Sequence, residues 1–223
     1  MKTPYILWVV VILILPGYCF AASKPDQSLD VQARFPINIQ YLNQNTNRFI
    51  NAGATVRLIF PDVTAKDNET ARLYLAGPLI SYGKQGSTVE LLGGERHNED
   101  GFQDPIVNLR LLDRSLPRLY IGADLMLFPR EERRRLYSLF TLETPLLIGS
   151  YQMRYGLESD NTFSFAGKED SIGFGPRVVF PLPLQKISQH LTAALAVGYQ
   201  VRSGSDPDFL RCYFTLTYRL GKK

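Results

Sequence analysis

The sequence predicts an all-β fold, an antiparallel up-and-down β-barrel of about ten strands, and three observations predict it. Apolar and polar residues alternate with a period of two through almost the whole chain after residue 28, as in strands with two unlike faces. The alternating segments mostly have about 9 to 13 residues. Several connections between them are too short for anything but adjacent antiparallel strands. The pattern is compatible with about eight to twelve strands.

The N-terminal segment predicts export from the cytoplasm. A basic residue precedes an uncharged apolar run over residues 5–15, a Pro-Gly break at 16–17 and a small residue at Ala21, which is the order of a secretory signal peptide. We place the signal peptide at residues 1–21 and one mature domain at residues 22–223. An uncleaved anchor is the alternative, because the uncharged segment is almost long enough to span a bilayer.

The two ends of the mature chain alternate most clearly. In the first segment the apolar row consists of Leu29, Val31, Ala33, Phe35, Ile37, Ile39 and Tyr41. In the last segment it consists of Leu210, Cys212, Phe214, Leu216, Tyr218 and Leu220. Polar side chains occupy most positions between these, so each segment predicts one long strand with one apolar face.

Eight further segments complete the predicted barrel. The predicted strands between the two ends are 52–60, 71–82, 106–113, 118–128, 135–143, 147–157, 171–180 and 190–202. Tight turns are predicted at 114–117 and 144–146, and longer polar connections lie elsewhere, including one at 83–105. With ten strands, both termini and the tight turns lie at one end of the barrel. Residues 88–93 are a candidate for a further strand.

The apolar face predicts contact with lipid, which makes the barrel transmembrane. The predicted strands are longer than the five or six residues usual in soluble proteins, whereas a membrane-spanning strand needs about 9 to 11. Bulky side chains fill the apolar face, and aromatic residues stand near strand ends on it. These aromatic residues are Tyr41, Phe60, Tyr155, Phe180 and Tyr218. A soluble periplasmic lipid-binding barrel is the alternative, and its apolar rows would line the interior.

These features resemble bacterial outer-membrane β-barrels as a class: a secretory signal, alternating strands throughout and a final amphipathic strand at 210–220. Tyr218 and Leu220 stand where that class usually ends in an aromatic residue. The resemblance implies location in the outer membrane of a Gram-negative cell, with outer-membrane lipids, lipopolysaccharide and the barrel assembly machinery as partners. The charge of +4 is spread along the chain, which does not indicate nucleic-acid binding.

The polar face of the predicted strands is rich in arginine. The arginines on this face are Arg34, Arg57, Arg72, Arg110, Arg118, Arg154, Arg177, Arg202, Arg211 and Arg219. The acids assigned to it are Asp30, Asp124 and Glu143. Two non-enzymatic functions are consistent with this placement. The interior is either a narrow porin-like channel that admits anions, or a structural filling of arginines paired with acids and tyrosines.

An outer-membrane enzyme that modifies lipid A, phospholipid or peptide is the alternative from another class. Its candidate residues lie in the stretch 95–100, where His97 is surrounded by carboxylates, with Ser87 ten positions away. No recognisable motif spacing connects them, so no catalytic residue is predicted. The mature chain has two histidines and one cysteine without ligand spacing, and neither a metal nor another cofactor is predicted. The charge run 129–135 could contact lipopolysaccharide phosphates.

Overall fold

The structure is a computed structural model, and it describes the greater part of the chain. The described residues are 26–42, 50–61, 63, 71–82, 87–98, 101, 103–130, 134–148, 151–165, 170–182, 184, 187–203 and 208–220. The predicted signal peptide, residues 1–21, lies outside this set. Within the same set there is no helix with the length and apolar character needed to cross a membrane.

Eleven strands form one closed barrel, which confirms the all-β prediction. They are β1 (Asp26–Leu42), β2 (Ile50–Phe60), β3 (Arg72–Tyr82), β4 (Ser87–His97), β5 (Gln103–Asp113), β6 (Tyr120–Phe128), β7 (Arg135–Ile148), β8 (Tyr151–Ser164), β9 (Ser171–Leu182), β10 (Leu191–Arg202) and β11 (Phe209–Tyr218). Each strand pairs with the next in antiparallel fashion, and β1 pairs with β11 in parallel. The parallel pair follows from the odd strand number, since in an up-and-down barrel the first and eleventh strands run the same way.

Strand β4 is the additional strand, and it occupies much of the predicted connection 83–105. The central residues of β4 are Leu91, Leu92, Gly93 and Gly94. They interrupt the alternation between apolar and polar residues, which is why this strand was not predicted with the other ten. The extra strand changes the predicted topology. The chain enters β1 at one end of the barrel, here named the N-terminal end, and leaves β11 at the other, the C-terminal end, so the expectation of both termini at one end was wrong.

The connections at the two ends differ in length. The connections at the N-terminal end are 61–71, 98–102, 129–134, 165–170 and 203–208. Those at the C-terminal end are 43–49, 83–86, 114–119, 149–150 and 183–190, and they include the two shortest. The turn expected at 144–146 instead continues β7, which pairs with β8 as far as Ile148. Pro145 is tolerated there because the pairing of β7 with β6 has already ended at Glu143.

The two faces of the barrel differ in chemistry. Large apolar side chains such as Leu91, Leu109 and Leu157 are exposed on the outside, whereas most charged strand residues point inward. Strand β3 is the exception to the predicted faces, because Leu73 and Leu75 are buried inside. An internal apolar cluster contains Ile59, Ala71, Leu73, Leu75, Leu92, Ile106, Met126 and Phe128. The interior is therefore apolar on the β2–β6 side near the N-terminal end and charged elsewhere.

Candidate functional site

The barrel interior is the candidate functional site, because there the strands bury most of their charged side chains. Six arginines form salt bridges inside the barrel, namely Arg34, Arg57, Arg110, Arg154, Arg177 and Arg211. Their partners are the six carboxylates of Asp30, Glu90, Asp124, Glu143, Glu158 and Asp160. The charges of these twelve side chains sum to zero, and they fall into three clusters.

The Arg57 cluster fills the β1–β6 side of the interior. It consists of Arg34, Arg57, Glu90, Asn108, Arg110 and Asp124. Arg57 donates to Oδ1 of Asn108 at 2.6 Å and pairs with Asp124 at 2.7 Å. Asn108 donates in turn to the same carboxylate at 2.6 Å. Arg57 is 1% exposed and Glu90 is fully buried, so these charges are held in place by partners from several strands and not by water.

The Glu158 cluster lies between β7 and β10. It consists of Glu143, Arg154, Glu158, Arg177 and Gln200. Glu158 accepts hydrogen bonds from Arg177 at 2.6 Å and from Gln200 at 2.8 Å, and Arg177 also donates to Glu143 at 2.8 Å. A Cβ atom at Gly198 would lie 1.9 Å from Oε1 of Glu158, so a side chain at this position would have to displace the carboxylate from its present place.

The Arg211 cluster joins the strands on both sides of the parallel seam to β7 and β8. It consists of Asp30, Tyr137, Asp160, Arg211 and Tyr213. Arg211 pairs with Asp30 at 2.6 Å and with Asp160. The hydroxyl groups of Tyr137 and Tyr213 donate to Asp160 at 3.1 and 3.3 Å, and the guanidinium lies 4.9 Å from the ring centre of Tyr213. This arrangement is consistent with the predicted pairing of arginines with acids and tyrosines.

The predicted excess of arginine over acidic residues does not hold for these clusters. Glu90 lies in β4, which the alternation did not reveal, whereas Glu158 and Asp160 extend β8 into the predicted connection 158–170. The sequence did contain evidence for the inward placement of Glu158 and Asp160. Both continue the period-two row of Arg154, so extending that strand would have placed them opposite the arginines.

The remaining predicted arginines lie elsewhere. Arg72 is exposed on the outer row of β3, because the inner row of that strand is leucine. Arg118 is exposed in the 114–119 connection, where its φ of 66° places it in the left-handed region. Arg219 follows β11 and is exposed. Arg202 ends β10 beside the cavity described below.

The residues considered for catalysis are far apart. His97 ends β4 at the N-terminal end, where it lies 3.1 Å from Glu95 and packs edge-on against Tyr74, with 37% of its side chain exposed. Ser87 begins the same strand at the C-terminal end and donates to Asp113 at 2.9 Å. Ten residues of strand separate the two by roughly 33 Å. Within the described part of the chain, no group of three or more His, Cys, Asp or Glu side chains could hold a metal.

A cavity of about 380 Å³ lies inside the barrel near the N-terminal end. Ile59, Leu73, Met126 and Phe128, from β2, β3 and β6, form one apolar part of its wall. Polar side chains from β8, β10, β11 and β1 form the opposite part, including the Arg211 cluster. The cavity is thus amphipathic, and it lies in the range of roughly 300–1,000 Å³ that small-molecule sites occupy.

These features define a class of protein: a closed, eleven-stranded β-barrel with an apolar exterior, an ion-paired interior and a cavity inside it at the N-terminal end. Comparison with protein families, with curated proteins and with solved structures found no match to this chain. The function must therefore be argued from the site itself.

Proposed function

We propose that the protein is an integral outer-membrane β-barrel whose interior is closed by ion pairs, so that it acts as a non-enzymatic envelope component and not as an open channel. The observation that carries this proposal is the contrast between the two faces of the barrel. Its strands have 9 to 17 residues, long enough to cross the hydrocarbon layer. Outer-membrane lipids, including lipopolysaccharide, would be its immediate partners.

The exterior supports insertion into lipid. In the described part of the chain, 27 large apolar side chains are exposed, and most of them lie on the strands. A water-soluble monomer rarely exposes contiguous apolar patches larger than a few hundred Å². Leu91, Leu109 and Val107 form part of one such patch on β4 and β5. The soluble lipid-binding alternative required the apolar rows of most strands to face inward, and they face outward. The outer surface of the barrel is therefore suited to contact with the hydrocarbon layer of a membrane.

The ion pairs inside the barrel support the proposal that its interior is blocked. Arg57 of β2 reaches Asp124 of β6, and Arg211 of β11 reaches Asp160 of β8, so ion pairs join strands that are not neighbours in the sheet. Arg34 of β1 crosses in the same way to Glu90 of β4. The interior of a barrel widens with strand number, and in this eleven-stranded barrel the ion pairs still span it. Paired side chains that cross it leave little room for a continuous water path.

The first prediction concerns membrane insertion. The mature chain is expected to stay with the outer-membrane fraction until detergent is added, and its folded form is expected to migrate differently on a gel before and after boiling. The apolar exterior is the reason, since it has no partner in water. Carbonate washing of membranes provides the control for peripheral attachment. Recovery of the folded chain as a soluble monomer in a periplasmic extract would refute the proposal.

The second prediction concerns conductance. Purified, folded protein in a planar bilayer is expected to give no steady current, because ion pairs between distant strands cross the interior. A general porin reconstituted in the same way serves as the positive control. Steady current with a reversal potential biased toward chloride under a salt gradient would favour the anion channel instead, since arginine in a water path selects anions.

A further inference from the structure

The wall of the cavity at the N-terminal end is rich in charged side chains. It contains five arginines and three carboxylates. The arginines are Arg57, Arg96, Arg135, Arg202 and Arg211, and the carboxylates are Asp30, Asp124 and Asp160. Arg57 and Arg211 pair with these three carboxylates inside the clusters described above. Arg96 and Arg135 have interactions of their own. This leaves Arg202 as a cationic group in the cavity wall that can bind an anion.

Arg202 is the arginine best placed to hold that anion. Its guanidinium donates to two neutral groups, Oγ of Ser171 at 3.0 Å and Oε1 of Gln200 at 3.4 Å, and lies 4.7 Å from the ring centre of Phe209. Within the part of the chain that the structure describes, no carboxylate pairs with Arg202, and its Nε has no hydrogen-bond partner. The six arginines of the clusters all have carboxylates.

The opposite wall favours a hydrocarbon chain. Leu73, Met126 and Phe128 are each less than 9% exposed and present apolar surface to the cavity, backed by the rest of the internal apolar cluster. A methylene group is similar in size to a water molecule, which occupies roughly 30 Å³. The cavity of about 380 Å³ thus holds roughly a dozen such groups. That capacity suits one hydrocarbon chain inside the barrel.

We propose that this cavity binds a single-chain anionic amphiphile, with its carboxylate or phosphate head at Arg202 and its chain against Ile59, Leu73, Met126 and Phe128. Each end of such a molecule meets the wall that matches it, and burial of each methylene group adds to the affinity. This inference uses the closed barrel of the proposed function and adds a ligand class to it. It does not depend on which side of the membrane the N-terminal end faces.

The test measures binding to folded barrel in a neutral maltoside detergent, by native mass spectrometry and by the carboxyl or phosphorus NMR signal of the ligand. The probes are dodecanoate and dodecyl phosphate, each below its micelle concentration. Dodecanol lacks the charge, and acetate and inorganic phosphate lack the chain. We expect one molecule of dodecanoate or dodecyl phosphate bound per barrel and much weaker binding of the other three. Preference between the two anionic probes identifies the head group.

The variant Arg202→Gln is expected to weaken binding of the anionic probes by roughly ten- to a hundredfold. This is the loss of affinity expected when one charge-assisted hydrogen bond is removed. It breaks no ion pair, so the barrel should still fold and keep its heat-dependent migration. Arg72→Gln is the matched control, since Arg72 lies at the same end but on the outer surface. Equal binding of dodecanol and dodecanoate, no loss in Arg202→Gln, or no binding to a correctly folded barrel would each overturn the inference. A failed membrane fractionation would refute the proposed function separately.

Discussion

Glu158→Leu is expected to lower the free energy of unfolding by about 3–5 kcal/mol, because it removes one partner of a buried ion pair. The side chain of Glu158 is fully buried and accepts hydrogen bonds from Arg177 and Gln200. Leucine fills a similar volume but leaves Arg177 and Arg154 to share the single carboxylate of Glu143. The measurement is urea unfolding of the barrel in lipid vesicles, followed by the gel shift between folded and unfolded forms.

The double variant Glu158→Leu with Arg177→Met provides the control for this prediction. It removes both charges and leaves Arg154 paired with Glu143 at 3.3 Å, so much of the lost stability should return. A conservative change, Glu158→Gln, should fall between the two because it keeps the hydrogen-bonding shape and loses the charge. Unchanged stability in the single Glu158→Leu variant would mean that water already reaches this cluster, which would reopen the case for a channel.

The sequence was sufficient to predict strands where one row is apolar and the other polar. In β1 and β11 every inward position from Asp30 to Arg34, and from Arg211 to Thr217, is polar, and the outward rows are apolar. The physical reason is that these strands have the apolar exterior of the barrel on one side and its ion-paired interior on the other. Period-two alternation reports such a contrast directly.

Prediction failed where the two sides of a strand meet similar surroundings. In β3, Leu73 and Leu75 face the internal apolar cluster while Tyr74 and Ile80 face outward, so both rows are apolar and alternation does not choose between them. In β8 the opposite occurs. Asn161 faces outward but is buried and hydrogen-bonded to Ser138, so the end of this strand is polar on both faces and reads as a loop.

The partners of the arginines could not be predicted either, because they depend on which strands face each other across the barrel. Arg57 and Asp124 are 67 positions apart in sequence, and Arg211 and Asp30 are 181 apart. Strand count and register determine which residues lie opposite each other across the barrel. One missed strand therefore changes the predicted partner of every inward residue. The cavity was missed for the same reason, since it lies between strands that only closure of the barrel brings together.

The largest effect on the outer surface is expected from Leu109→Arg. Leu109 is exposed near the middle of β5, and it pairs in register with Leu91 on β4 and Leu125 on β6. If this surface meets hydrocarbon, arginine near the bilayer midplane should cost about 2–4 kcal/mol of folding stability. In water the same change would be almost neutral, because an exposed leucine gains nothing from its surroundings. The measurement is again the folded fraction against urea in vesicles.

The matched control for depth is Tyr74→Arg, which places the same charge on the same face, three residues into β3 at the N-terminal end. An arginine near the membrane interface should cost only about 0–1 kcal/mol, because its long side chain reaches the headgroups. The difference between the two variants therefore measures the position of the hydrocarbon layer along the barrel. Equal and small costs at both positions would mean that the apolar exterior does not lie in lipid, whatever fraction the protein is found in. A larger cost for Tyr74→Arg than for Leu109→Arg would place the hydrocarbon centre toward the N-terminal end and would require the cavity mouth to lie within the membrane.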